Sequence, residues 1–335
     1  MINVLLDTKL LSHGRATIVE TMDMITRVVE RTKDQFPFDG NIRVIACTDI
    51  GKSQHRLNLL PSYKSGRSYG CPEEYKQFKH NYIEGAIPLL KLLGVIVIDI
   101  AELEADDQAS IISNILLASD TKVLVTEDRD WMQIVLSVLN TFLLSPKTFR
   151  MWDRKYIKEN FGFDNKAQYL FTKVARGDTG DSIKPAATLC GDKCFEPFID
   201  TVYSDKRCLE GTLKSQLDFL KRSYLAFLQG KPKHKVHPKY LGIVNSISEA
   251  IDLNILLGET MVDFKYLTES QEREFLDSLH CSTKLVPIEE INKFIQGIHP
   301  NEENPFGGKL TMPLETYSKF KDFYQAQAPI ILKEF

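Results

Sequence analysis

The run Val95-Ile96-Val97-Ile98, followed six residues later by Glu104-Ala105-Asp106-Asp107, decides how this sequence is read. Four consecutive β-branched residues read as a buried strand. From Gln108 to Ala118 the apolar residues Ala109, Ile111, Ile112, Ile115 and Leu116 recur at helical spacing. Three carboxylates therefore stand at a strand-to-helix turn. Acids this close repel one another unless cations neutralise them. Hard oxygen donors of this kind suit Mg²⁺ or Mn²⁺. Acids also favour a helix N-terminus for its dipole alone, so this stretch taken by itself leaves a solvated acidic turn open.

The same arrangement recurs on either side. Ile2 to Leu6 reads as a strand that ends in Asp7, and Ile42 to Thr48 as a second that ends in Asp49. Val123-Leu124-Val125 reads as a further strand, followed by Asp128 and Asp130, and Thr141 to Leu144 as another. Between them, 14–31 and 73–93 carry helical patterns, the latter interrupted by Pro88. Alternating strands and helices imply an α/β fold with a mostly parallel twisted sheet flanked by helices. Such sheets bind ligands outside the carboxyl ends of their strands. One acid after one strand means little. Four strands that each deliver acids to the same rim point to a metal site.

Beyond Trp152 the texture changes. Helical patterns cover 153–161, 165–175, 193–203, 213–228, 240–257, 270–279, 287–295 and 314–324, and no strand pattern alternates with them. Gly177-Asp178-Thr179-Gly180-Asp181 is a turn with two more acids. The expected division is an α/β domain at 1–180 and a largely helical region at 181–335. A basic loop spans Lys231 to Lys239.

Composition narrows the classes. The 335 residues are 43% apolar, as in an ordinary packed protein, and no apolar run is long enough for a membrane span. The opening MINVLLDTKL lacks the basic start of a secretion signal. Six scattered cysteines without paired metal-ligand spacing suggest reduced thiols, and with them a cytoplasmic protein. The net charge of −3 argues weakly against a nucleic-acid partner, because so many acids are assigned to one cluster. A basic surface around a metal-filled acidic pit can still hold phosphates.

Six stretches carry a resemblance. They are Leu5-Leu6-Asp7, Asp49-Ile-Gly-Lys-Ser53, Leu60-Pro-Ser-Tyr63-Lys64-Ser-Gly-Arg67, Glu104-Ala-Asp-Asp107, Thr126-Glu-Asp128-Arg-Asp130-Trp131 and Gly177-Asp178-Thr-Gly-Asp181-Ser-Ile183. In this order and approximate spacing the chain resembles the 5′-nuclease superfamily. That group comprises flap endonucleases, the 5′-nuclease domain of bacterial DNA polymerase I, and phage 5′-exonucleases and ribonucleases H. The resemblance covers roughly residues 1 to 185. It implies a PIN-like 5′-nuclease fold, an arch-like segment at about 51–80, and a DNA-binding helix-hairpin-helix after Asp181. That hairpin is divergent here, because Lys184-Pro-Ala-Ala-Thr-Leu-Cys-Gly191 lacks most of the family's glycines.

By the same resemblance, Asp7, Asp49, Glu104 and Asp106 hold one Mg²⁺. Asp107, Asp128, Asp130, Asp178 and Asp181 hold or orient a second, with Mn²⁺ as a substitute. The implied reaction is two-metal hydrolysis of a phosphodiester. Lys64 and Arg67 would steady the scissile phosphate as charge builds on it. Tyr63 would stack on a terminal base, and Lys52, Arg56, Lys76 and Lys79 would touch the backbone. The implied substrate is DNA with a 5′ flap, a nick or an RNA primer, cut 5′ to 3′ by a monomer. Primer removal in phage DNA replication is the implied setting, with a single-strand-binding protein or sliding clamp as partner at 330–335. Two other readings are a relative that binds nucleic acid without cutting it and a toxin-like single-strand ribonuclease.

Overall fold

A computed structural model describes residues 1–11, 18–36, 42–49, 52–66, 73, 76, 79–186, 192–229, 243–260, 267–280, 285–298, 312 and 314–324. Six strands form one sheet: β1 (Ile2–Asp7), β2 (Ile42–Cys47), β3 (Ile96–Ile98), β4 (Thr121–Val125), β5 (Thr141–Leu144) and β6 (Met151–Trp152). Their spatial order is β3-β2-β1-β4-β5-β6. The first five run parallel, and β6 returns antiparallel to β5. The sequence pattern missed β6, which is only two residues long.

Strand alternation builds a core on each face. Val4, Leu6, Val44, Ala46, Val123 and Val125 point to one side. Leu5, Ile45, Cys47 and Leu124 point to the other. Strands buried on both faces read as continuous apolar runs, which is why they were legible. The first face meets α1 (Ile18–Gln35), a π-helical stretch (Lys79–Ala86) and α3 (Ile87–Leu92). The short α2 (Gln54–Leu59) lies between α1 and that stretch in the chain. The interruption expected at Pro88 takes the form of a change from π to α winding. Pro88 falls at the start of α3, where a missing N–H costs little. The second face meets α4 (Ala105–Ile115) and α5 (Met132–Ser137).

The helical half begins with α6 (Arg154–Phe161), α7 (Lys166–Arg176), α8 (Asp192–Val202), α9 (Leu213–Gln229) and α10 (Ile243–Gly258). Helices α7 to α10 share a core around Phe171, Phe195, Phe198 and Tyr224. Three more follow: α11 (Glu269–His280), α12 (Ile288–Ile298) and α13 (Leu314–Tyr324). Phe275 and Leu279 of α11 join the core on one face of the sheet, and Ile291 and Ile295 of α12 join the other. Helices from beyond residue 180 thus contribute to the core on each face of the sheet. Among the described residues no helix is long and apolar enough to cross a membrane.

Candidate active site

The carboxyl edge of the sheet gathers the acids. Asp7 is the last residue of β1, in register with Cys47 of β2, and Asp49 lies two residues beyond Cys47. Pairing continues just past the strand ends, with Thr48 N donating to the Ile98 carbonyl at 3.1 Å and Thr126 N to that of Leu144 at 3.3 Å. Gln108 ties this edge to α4. Its amide donates to the Thr48 and Leu103 carbonyls at 3.0 and 3.1 Å and accepts from Thr48 N at 3.2 Å. Every polar atom of that buried amide is thereby used, and the start of α4 is fixed against β2.

The last two acids come from a turn far along the chain. Asp178 and Ile183 exchange backbone hydrogen bonds of 2.8 and 2.7 Å, and Asp178 Oδ1 accepts from Gly180 N at 2.8 Å. Gly177 enters this turn at φ +73°, and a Cβ there would lie 2.5 Å from Pro185 N. Only glycine fits that approach. The turn is stitched to the segment after α2, where Lys64 N donates to the Asp181 carbonyl at 3.0 Å and Gly66 N to Ser182 Oγ at 3.2 Å.

The result is one small pit, with a free volume of about 30 Å³, lined by Asp7, Asp49, Glu104, Asp106, Asp128, Asp130 and Asp181 together with Lys9 and Lys64. That space suits waters and ions rather than a nucleotide. Asp178 lies on an adjoining opening with Asp128, Asp130 and Asp181. Eight of the nine acids named from the sequence thus meet around one place.

Asp107 does not line the pit. Its oxygens accept a fork from Arg56, at 2.5 Å from Nη1 and 2.9 Å from Nη2, and it is fully buried. Arg56 is 2% exposed and donates further to Glu104 at 3.2 Å and to the carbonyls of Leu257 and Glu259 at 2.9 and 3.1 Å. The expected backbone contact by Arg56 is therefore corrected: it is an internal strut between α4 and the end of α10.

Tyr63 is corrected too. At 1% exposure it cannot stack on a base, and its hydroxyl lies 3.1 Å from Glu104 Oε2 and 3.3 Å from Asp181 Oδ2. Lys64 does reach the pit, with Nζ 2.7 Å from Glu104 Oε1, held there by a left-handed backbone at φ 52°. Lys52 and Lys76 are exposed. Arg67, the Lys79 side chain, the altered hairpin at 187–191, the basic loop at 231–239 and the tail at 330–335 lie outside the described residues.

Sequence reasoning passed over four groups. Lys9 Nζ sits 3.1 Å from Asp49 Oδ2. Thr126 Oγ1 donates to Asp7 Oδ2 at 2.7 Å. Tyr169 Oη donates to Asp130 Oδ1 at 2.8 Å, and Lys173 pairs with Asp130 and Asp178. Tyr169 and Lys173 stand four residues apart on α7, just before the Gly-Asp turn, and that spacing was a usable signal. Glu127, between Thr126 and Asp128, accepts from Ser145 Oγ at 2.7 Å and Lys147 N at 3.2 Å, and so braces the turn after β5.

The electrostatics are uneven. Burial pushes the Asp7 carboxyl up to about 7, with the Thr126 hydrogen bond opposing and the Asp128 charge adding to the rise. Burial and the neighbouring Asp107 hold Asp106 well above the usual carboxylate range, and burial and Asp130 raise Asp128. Burial also opposes ionisation of Glu104, but Arg56 and Lys64 outweigh it and hold that group down at about 2. Such an array takes up protons unless other cations enter. Between about pH 4 and pH 7, Asp7 is protonated in the folded chain and ionised in the unfolded one. Its contribution to stability therefore falls as pH rises through that window. In chelator, Asp7→Asn should match wild type near pH 4 and exceed it by about 2–4 kcal/mol at pH 8. Urea unfolding at the two pH values checks this, and a constant gap would contradict it.

Residues 10–162 match the family model described as 5'-3' exonuclease, N-terminal resolvase-like domain. Over these residues the chain is similar to the 5'-3' exonuclease family. The chain is 27% identical over 169 residues to a 5'-3' exonuclease of Bacillus subtilis, covering 50% of this chain and 55% of that protein. It is 28% identical over 147 residues to the flap endonuclease of Escherichia phage T5, covering 42% of this chain and 50% of that protein. The chain thus spans about half the length of these two curated relatives. A crystal structure of bacteriophage T5 flap endonuclease, in a pseudo-enzyme-product complex with DNA and metal ions, is similar with a TM-score of 0.54 at 20% identity. The match covers 90% of this chain and 98% of that one, and it shows that the 5′-nuclease fold extends into the helical half.

Proposed function

We propose that this chain is a divalent-metal-dependent 5′-nuclease that hydrolyses phosphodiesters near the 5′ end of a flapped, nicked or RNA-primed DNA strand. One observation carries the reading: seven carboxylates from five separate segments line a single ion-sized pit at the carboxyl edge of the sheet, with Lys64 on its wall. The donor set is all oxygen and crowded, as hard cations such as Mg²⁺ or Mn²⁺ require. Asp7, Asp49, Glu104 and Asp106 would hold one ion, and Asp128, Asp130, Asp178 and Asp181 a second. When bound, such ions supply water activation and charge neutralisation at the leaving oxygen.

The chain's own groups do the rest. Lys64 presents its ammonium where negative charge grows on the phosphate. Tyr63 and Arg56 hold Glu104 in place from behind. Lys52, Arg67, Lys76 and Lys79 lie in the segment expected to arch over the pit, where cations meet the strand's phosphates. The helical part beyond residue 181 would seat the duplex. Primer removal during phage DNA replication is the setting that suits this activity.

The test is an end-labelled set of flapped, nicked and RNA-primed duplexes, incubated in Mg²⁺, in Mn²⁺ and in chelator. Shortened 5′ strands are expected only with a divalent cation, and intact strands under all conditions would overturn the reading. In the same assay Lys64→Ala should lower kcat by about 10²-fold with KM little changed. A defect confined to KM would make Lys64 a binding group only.

A further inference from the structure

Lys173 stands out among the cations of the site. It shares a face of α7 with Tyr169, and that face points at Asp130. Tyr169 Oη takes Asp130 Oδ1 at 2.8 Å, and Lys173 Nζ takes Asp130 Oδ2. The same ammonium lies 3.2 Å from Asp178 Oδ2. Asp130, Asp178 and Asp181 each bring an oxygen within 4.8 Å of the others, close enough to share one ion. Lys173 therefore bridges two of the three carboxylates that would receive a cation. Lys9 and Lys64 pair with Asp49 and Glu104, in the other carboxylate group.

An ammonium and a dication held by the same oxygens repel one another strongly in a partly buried place. We propose that Lys173 is a resident counter-cation of the Asp130–Asp178–Asp181 group, and that a divalent ion gains these carboxylates only by displacing it. This group then fills after the Asp7–Asp49–Glu104–Asp106 group and with lower affinity. The inference rests on the reading of both groups as cation sites given above. Lys173 acts here as a positioning residue. It sets the order in which the sites load through the carboxylates it occupies.

The test is a titration of the full chain with Mn²⁺ alone, followed by calorimetry and by the paramagnetic signal of free Mn²⁺, with no nucleic acid present. Wild type should show one tight and one weak site. Lys173→Gln should tighten the weaker site by about tenfold, since a competing charge is gone. Lys173→Arg keeps the charge and should titrate like wild type. A thermal melt in each case confirms folding, and Lys173→Met serves if the glutamine variant melts early. A merely structural lysine predicts the opposite sign, because its loss would loosen the carboxylates and weaken the ion. Equal affinities in wild type and Lys173→Gln, or weaker binding in the variant, would overturn this inference and leave the nuclease reading standing. No Mn²⁺ binding by any of the proteins would overturn both.

Discussion

Asp106→Asn and Asp130→Asn are each expected to slow strand cleavage steeply, and together to abolish it, while leaving duplex binding within a few-fold of wild type. Each substitution keeps the side chain's shape and removes one anionic donor from the pit. Asp106 and Asp130 both line the pit, and Asp130 also lines the adjoining opening with Asp128 and Asp181. Loss of either should lower the rate on the order of 10²–10³-fold, as for other charge-stabilising groups in enclosed sites. Affinity should persist because phosphate contacts away from the reacting centre position the strand. Removing negative charge from the pit also eases its repulsion of the phosphate backbone. Cleavage gels and gel-shift titrations on the same flapped duplex check both halves. A double variant that still cuts would take the carboxylate pit out of the mechanism.

Arg56→Ala is the larger effect on stability. The guanidinium answers two buried carboxylates and two backbone carbonyls, and its removal leaves all four without it. Burial opposes its charge, but Asp107 and Glu104 outweigh that and keep Arg56 firmly protonated. Breaking a buried ion pair from one side costs about 3–5 kcal/mol; Lys64 and Tyr63 still answer Glu104, so the loss falls mainly on the fork to Asp107. Arg56→Lys should recover little of this, since an ammonium cannot make the two-pronged contact to Asp107. Urea unfolding measures the loss. A phosphate-binding surface arginine would behave differently, with unchanged stability and a binding defect that grows weaker in high salt.

The legible and illegible parts of this sequence divide by range. Strand β5 and helix α13 were placed by periodicity to the residue, because local apolar spacing alone determines them. The acids were legible for a related reason: each follows its own strand or its own glycine turn. Arg56 and Tyr63 misled because their partners are remote. Arg56 meets Glu259 across 203 positions, and Tyr63 meets Asp181 across 118. A cation and an aromatic near an expected nucleic-acid surface look like contacts until the second half folds over them. Asp107 keeps an oxygen within 4.8 Å of Glu104 and Asp106, as its place in the motif implies, while its burial and the fork it accepts from Arg56 came from the same remote packing.

The frame itself carries a lesson about tolerance. Asp7, Asp49 and Asp128 take their mutual spacing from backbone ladders between β1, β2 and β4, and adjacent parallel strands lie about 4.8 Å apart whatever their side chains. The ruler of this pit is thus the peptide unit, which no substitution of one apolar residue for another can lengthen. Lineages that keep such a ladder and its few terminal acids are free to replace most other positions, and chains sharing scarcely a quarter of their letters can keep the same measure.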